Sequence, residues 1–452
     1  MSGSFEDIHV PPTLISFAVQ TEKCENIISS EFKKTCSYIY LIKHNPLKNL
    51  MPNVLELKEN FNFIHENILN KNIIAAFSVK EGGVAEALFK MSFGNKIGAN
   101  IKTNENLFDL QIGSIVVETT EELKFKNAIL LGTTENELTI NNEKFSIDEA
   151  INKWESTFKG IFPRRTNYTD EKVEKITYSN KSIKKLGAKI APRVLIPTFP
   201  GTNSEYDSAK AFKLAGGNPE ILVFKNLTTS YIKDSIKNLA AEIKKSQILM
   251  LPGGFSAGDE PDGSAKFITA ILNNEYVQEA VHEFLNKDGL ILGICNGFQA
   301  LIKSGLLPYK DSVTENSPTL THNSISRHQS MIVRTRFTGA SSPWFNGIKE
   351  GDIHNVVISH GEGKFTAKEE TLKKLVEDSL VAFQYVDLEG NPTLDEVYNP
   401  NKSSLAIEGI ISPCGKILGK MGHTERSGKD ILKNVEGNYD QKIFKSGVEY
   451  FK

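Results

Sequence analysis

Four cysteines in 452 residues are the first scarcity of this sequence. Cys24, Cys36, Cys295 and Cys414 lie far apart and form no CxxC pair, which excludes a disulfide framework and argues against structural zinc. A lone cysteine defaults to a small buried hydrophobe, so reactivity has to be argued from its surroundings. Long apolar runs are also missing. Val194–Pro197 and Ile248–Pro252 fall far short of the roughly 18 residues of a membrane helix. The opening Met1-Ser2-Gly3-Ser4-Phe5-Glu6-Asp7 has no basic-then-apolar signal pattern, so a soluble, cytoplasmic protein with no membrane partner is expected. Charge of one sign is not in excess: 53 Lys and Arg stand against 55 Asp and Glu, a formal −2. That removes the basic field on which nucleic-acid binding depends. Neither a GxxxxGK[ST] loop nor a GxGxxG after a strand occurs.

What is present describes an ordinary folded chain: 39% hydrophobic, 24% charged and 17 prolines, at a length that suggests about three domains. In the first third, Leu14–Val19 and Tyr38–Ile42 are strand-like, whereas 62–69 and 84–91 carry apolar residues at helical spacing. The glycine turn Ser78-Val79-Lys80-Glu81-Gly82-Gly83 leads into the second of these helices. From Thr166 to Lys189 the chain is polar and lysine-rich without a sustained apolar period, which predicts a linker. Its character then changes. Strands at 194–197, 220–224, 247–251 and 290–294 alternate with helices at 203–214 and 231–244, a helical region ending near Leu285, and 297–303. Asn203 or Ser204 is the expected cap of the first of these helices and Gly216-Gly217 its stop. This alternation predicts a parallel sheet covered on both faces, with functional loops at the carboxyl ends of the strands.

Two stretches match the elbow spacing in which glycines two residues either side of a nucleophile permit a strained strand-to-helix turn. In Gly254-Phe255-Ser256-Ala257-Gly258 the following Asp259-Glu260-Pro261-Asp262-Gly263 cannot start a packed helix, so Ser256 is expected in a loop. Gly293-Ile294-Cys295-Asn296-Gly297 fits on both sides, with an apolar strand before it and Phe298-Gln299-Ala300-Leu301-Ile302 continuing as a helix. A helix N-terminus favours thiolate over thiol, and the elbow offers the Asn296 amide to an oxyanion, with a second amide expected from the Gly253-Gly254 pair. The base must be a histidine held by a carboxylate. Residues i and i+2 of an extended segment face one side, so His360-Gly361-Glu362 and His423-Thr424-Glu425 both qualify. Spacing alone does not separate them.

Five segments occur in order: Phe199-Pro200-Gly201-Thr202-Asn203-Ser204-Glu205-Tyr206-Asp207, Pro252-Gly253-Gly254-Phe255-Ser256-Ala257-Gly258-Asp259, Gly293-Ile294-Cys295-Asn296-Gly297-Phe298-Gln299, Ser359-His360-Gly361-Glu362-Gly363-Lys364-Phe365 and Met421-Gly422-His423-Thr424-Glu425-Arg426. Together they closely resemble the class I glutamine amidotransferase domain of the phosphoribosylformylglycinamidine synthases. The resemblance implies an α/β, flavodoxin-like, mostly parallel-sheet domain over 191–452 and a Cys, His, Glu triad at Cys295, His423 and Glu425. It also places Gly254, Phe255, Asn296, Gln299 and His360 as oxyanion or substrate-binding residues, with no metal. Residues 1–165 resemble the carboxyl-terminal half of an aminoimidazole ribonucleotide synthetase-like module through Pro11-Pro12-Thr13-Leu14, through Glu81-Gly82-Gly83-Val84-Ala85-Glu86-Ala87-Leu88 and through Met91-Ser92-Phe93. Where such modules carry an acidic, hydroxyl-rich turn, this sequence has Val79-Lys80-Glu81, which argues against nucleotide binding there. Residues 166–190 are the expected linker.

The activity implied is hydrolysis of glutamine through a cysteine thioester, with ammonia delivered to a synthetase portion that makes formylglycinamidine ribonucleotide from formylglycinamide ribonucleotide in purine biosynthesis. The glutaminase domain implies no cofactor. ATP and magnesium belong to the missing synthetase portion, which is the expected partner. An excised fragment or a natural split subunit explains the length. The alternatives are a docking piece silent by itself and a cysteine hydrolase, such as a peptidase, on the same elbow.

Overall fold

The apolar stretches between Val194 and Ile294 become the strands Arg193–Thr198, Asn218–Val223, Ile248–Leu251 and Leu290–Ile294. Every residue of the last two is buried, as a sheet covered on both faces requires. Helices Glu205–Leu214, Thr229–Lys245, Lys266–Leu272 and Glu275–Asn286 connect them. The first stops at Gly216, whose φ is +84°, and the Gly217 N–H donates back to the Phe212 carbonyl at 2.9 Å.

The computed structural model describes residues 3–5, 8–48, 51–163, 166, 172–179, 181–187, 191–256, 264–310, 312–428, 431–432 and 435–452. They separate into two units, Met1–Gly160 and Ile161–Lys452. The second holds a nine-stranded sheet in the order Asn218–Val223, Arg193–Thr198, Ile248–Leu251, Leu290–Ile294, Ile417–Lys420, Ile407–Ile411, Val381–Val386, Gln329–Phe337, Ile353–His360. The first five strands run parallel and the remaining ladders are antiparallel. The strand ending at Cys295 therefore lies in the parallel half, beside the strand that feeds His423. Ile353–His360 is an edge strand. Along its outer side the Val357 carbonyl accepts the His423 N–H at 2.7 Å and the Asn355 N–H donates to the Asn438 carbonyl at 2.7 Å.

The Met1–Gly160 unit is built on a seven-stranded, mainly antiparallel sheet ordered Ile73–Ser78, Ile115–Thr119, Tyr38–Ile42, Ala128–Glu135, Gly98–Ile101, Leu138–Ile140, Glu143–Phe145. Helix Gly83–Phe93 buries Val84, Leu88 and Met91 against it. Leu14–Val19, expected as a strand, is not one: Leu14, Phe17 and Val19 are exposed and the segment has no ladder partner among the described residues. A β-branched, apolar run makes a strand only where a neighbour supplies hydrogen bonds and a buried face.

The polar stretch 166–190, expected as a linker, is strapped onto the Ile161–Lys452 unit in its described part. Ile176 is buried in that unit's core; its N–H donates to Gln384 Oε1 at 3.0 Å and its carbonyl accepts Arg336 Nη1 at 2.8 Å. Tyr178 N–H donates to Thr338 O and Leu186 N–H to Tyr450 O, both at 2.8 Å. Such a strap is anchored residue by residue, so it leaves no period to read. Among the described residues no helix is long and apolar enough to cross a membrane.

Candidate active site

Cys295 ends the buried strand Leu290–Ile294 and caps helix Asn296–Lys303 at φ +52°, ψ −107°. A non-glycine residue with positive φ is strained, and such strain collects at functional turns. The flanking glycines are there for contact: a Cβ at Gly297 would stand 2.0 Å from the Leu251 carbonyl oxygen, and one at Gly293 2.7 Å from the Gly297 carbonyl oxygen. The Cys295 N–H donates to the Lys420 carbonyl at 2.9 Å, and Sγ lies 3.8 Å from the Ser359 carbonyl. Ser256, the competing nucleophile, is a buried loop residue, and Ala257 to Gly263 lie outside the described residues.

The two His-x-Glu units differ in what the carboxylate does. His423 Nδ1 donates to Glu425 Oε1 at 2.5 Å, with both side chains buried. Burial opposes a charged imidazole, but the Glu425 carboxylate, Cys295 and the hydrogen bonds to both outweigh it and push the His423 pKa up to about 9. Burial raises the Glu425 pKa and His423 lowers it, with a net shift downward. Gly253 lies against this group: a Cβ there would sit 2.7 Å from His423 Cε1 and 3.3 Å from Cys295 Cβ. His423 and Cys295 therefore share one glycine face.

Among the described residues His360 has no carboxylate partner. Its Nδ1 pairs with Asn323 Oδ1 at 3.2 Å, and Nε2 is buried without a hydrogen bond among the described residues. Burial first, then the nearby His423 and His328, push its pKa down to about 3, so the ring is neutral at physiological pH. Glu362 instead accepts the Ser264 N–H at 2.8 Å and stands 3.7 Å from His322 Nε2. The two units thus differ in the partner of the histidine, Glu425 for His423 and Asn323 for His360.

The oxyanion donors expected from the Gly253-Gly254-Phe255 turn are also distinguished. The Phe255 N–H donates to the Gly201 carbonyl at 2.9 Å and the Asn203 N–H to the Gly253 carbonyl at 3.1 Å. These two bonds flank Gly254, whose own amide takes no part in the pairing and whose φ is +145°. The Phe255 amide is thus engaged with Gly201. Gln299 is buried with both ends of its amide engaged: Oε1 accepts Asn296 Nδ2 at 3.0 Å and Nε2 donates to the Glu362 carbonyl. It links the nucleophile helix to the Glu362 loop.

Sequence reasoning missed Asn323, which fixes His360 from 37 residues away and left no local signal. It also missed the buried pair Lys420 and Glu408, although a lysine inside the apolar run Ile417–Met421 was a visible anomaly. No group of three or more His, Cys, Asp or Glu side chains among the described residues is placed to hold a metal ion.

A buried cysteine elbow thus lies on the parallel half of the sheet, beside a histidine held by a glutamate. Residues 191–451 match the model of the CobB/CobQ-like glutamine amidotransferase domain, and the chain belongs to that family. It is similar to the phosphoribosylformylglycinamidine synthase subunit PurQ of Methanococcus maripaludis strain C7, 35% identical over 288 residues, covering 58% of this chain and 98% of that protein. The subunit of the same name from Rhodopseudomonas palustris strain CGA009 is 35% identical over 240 residues, covering 53% and 91%. Among solved structures, PurLQS from Thermotoga maritima aligns at 23% identity with a TM-score of 0.43, covering 58% of this chain and all of that one.

Proposed function

We propose that the Ile161–Lys452 unit is the glutaminase of a phosphoribosylformylglycinamidine synthase, hydrolysing glutamine and passing ammonia to a synthetase portion that forms formylglycinamidine ribonucleotide. The observation that carries this reading is the buried His423–Glu425 pair packed with strained Cys295 across Gly253. Cys295 sulfur attacks the side-chain amide carbon of glutamine. The oxyanion so formed lies between the amides of Gly254 and Asn296, and each such donor is worth about 3 kcal/mol in the transition state. His423, already protonated by virtue of its raised pKa, gives its proton to the departing ammonia as the thioester forms. It then takes a proton from the water that opens the thioester, releasing glutamate and restoring Cys295. Glu425 fixes the Nδ1–H tautomer and orients the ring.

His360 is neutral and gives its Nδ1–H to Asn323 Oδ1, so its Nε2, which has no hydrogen bond among the described residues, is left to accept one from bound glutamine. ATP and magnesium serve the synthetase portion, and no step at Cys295 passes through them. The Met1–Gly160 unit is read as the carboxyl-terminal half of a synthetase-like module; the glycine turn entering the buried helix Gly83–Phe93 supports this. A cytoplasmic setting suits this activity. In the complete enzyme, Cys295→Ala is expected to abolish glutamine-dependent synthesis while leaving ammonia-dependent synthesis intact. Glutamate release by that variant would overturn the assignment.

A further inference from the structure

A lysine with no exposed side-chain surface is rare unless something holds its charge. Lys420 is such a residue, and Nζ stands 3.0 Å from Glu408 Oε1, which is equally buried. The other two ammonium protons go to the Gly422 carbonyl at 2.7 Å and to Thr424 Oγ1 at 2.9 Å. All three acceptors are thus accounted for, and two of them flank His423. Glu408 Oε1 also takes the Gly422 N–H at 2.6 Å. The space around Gly422 is closed by the same groups: a Cβ there would lie 2.8 Å from Glu408 Oε1 and 3.1 Å from Lys420 Nζ. Because the Thr424 hydroxyl accepts from Lys420, its own proton goes to Gln441 Oε1, and Gln441 Nε2 donates to Thr335 Oγ1 at 3.1 Å in the strand Gln329–Phe337. The Lys420 main chain meanwhile accepts the Cys295 N–H.

Replacing a buried ion pair by apolar residues of similar volume is often neutral or stabilising, so stability alone does not account for this pair. We propose that Lys420, with Glu408 as its counter-charge, is a positioning residue that clamps the turn Gly422-His423-Thr424-Glu425 in register with Cys295. The inference rests on the reading of Cys295, His423 and Glu425 as the catalytic triad. One residue fixes the nucleophile through its carbonyl and the base through its side chain.

The test compares the full chain, supplied with the synthetase portion, as wild type, Cys295→Ala, the double variant Lys420→Met with Glu408→Gln, Thr424→Val and Thr424→Ser. Glutamate release and thermal unfolding are measured on each. The double variant removes both charges at similar volume and is expected to unfold near the wild-type temperature while kcat falls about 100-fold, the cost of misplacing a reacting group by about 1 Å, with KM within about twofold of wild type. Thr424→Val is expected to lose about tenfold in kcat and Thr424→Ser to restore it. Wild-type kcat in the double variant, or in Thr424→Val, overturns the positioning role. If the double variant does not fold, the Val and Ser pair decides. A wild type no faster than Cys295→Ala overturns the triad reading itself, and that result is visible before any Lys420 variant is compared.

Discussion

In the proposed mechanism His423 is the proton donor and acceptor, and its charge is set by two neighbours, Glu425 and Cys295, against burial. Removing one of them reverses the balance. With Glu425→Gln the desolvation of the ring remains while its main counter-charge is gone, so the His423 pKa is expected to fall from about 9 toward or below the ordinary value near 6.5. An NMR titration of the imidazole Cε1–H measures this directly. Stability follows the same sign: a pKa raised on folding contributes fully below about 6.5 and is lost as pH rises through about 9. Glu425→Gln is therefore expected to lower the unfolding temperature at pH 6 more than at pH 10. His360 shows the opposite outcome of equal burial. With no carboxylate partner among the described residues it stays neutral, so the two histidines that share a local sequence pattern differ in protonation.

At the scale of elements, the site is the meeting of a strand-to-helix elbow, a glycine turn and a loop from the next strand. Gly253 is where they touch, and its value lies in having no side chain. Gly253→Ala places a methyl 2.7 Å from His423 Cε1 and 3.3 Å from Cys295 Cβ. Overpacking of this kind costs about 1–3 kcal/mol of stability, measurable by urea unfolding. A displaced imidazole is expected to lower kcat by about 100-fold, measured as glutamate release. The elbow was legible in the sequence because its signals are local: a continuous apolar run, glycines at fixed offsets and a helical period after them. The different partners of His360 and His423 were not, because Asn323, Ser264 and Glu425 set them, and two of those three act from distant loops. The engagement of the Phe255 amide was equally hidden, since it follows from where the Gly201 carbonyl lies.

For the whole molecule, two units with separate cores make the boundary between them the natural place to divide the chain. A protein starting at Ile161 is expected to fold and to keep Cys295 reactive toward a glutamine-like electrophile. One starting at residue 191, where the family match begins, loses the burial of Ile176 and the Tyr178 and Leu186 hydrogen bonds. It is expected to be less stable by about 3 kcal/mol, seen as a lower urea midpoint. The strap escapes sequence reading because a polar stretch with two anchored isoleucines, Ile176 and Ile183, looks like any connection. Finally, the loop that carries the base also covers the outer edge of the strand Ile353–His360, with the His423 N–H seated on the Val357 carbonyl. A bare strand edge is a template for another chain. Damage to the histidine loop is therefore expected to expose part of this edge to pairing with another chain, checked as self-association by light scattering.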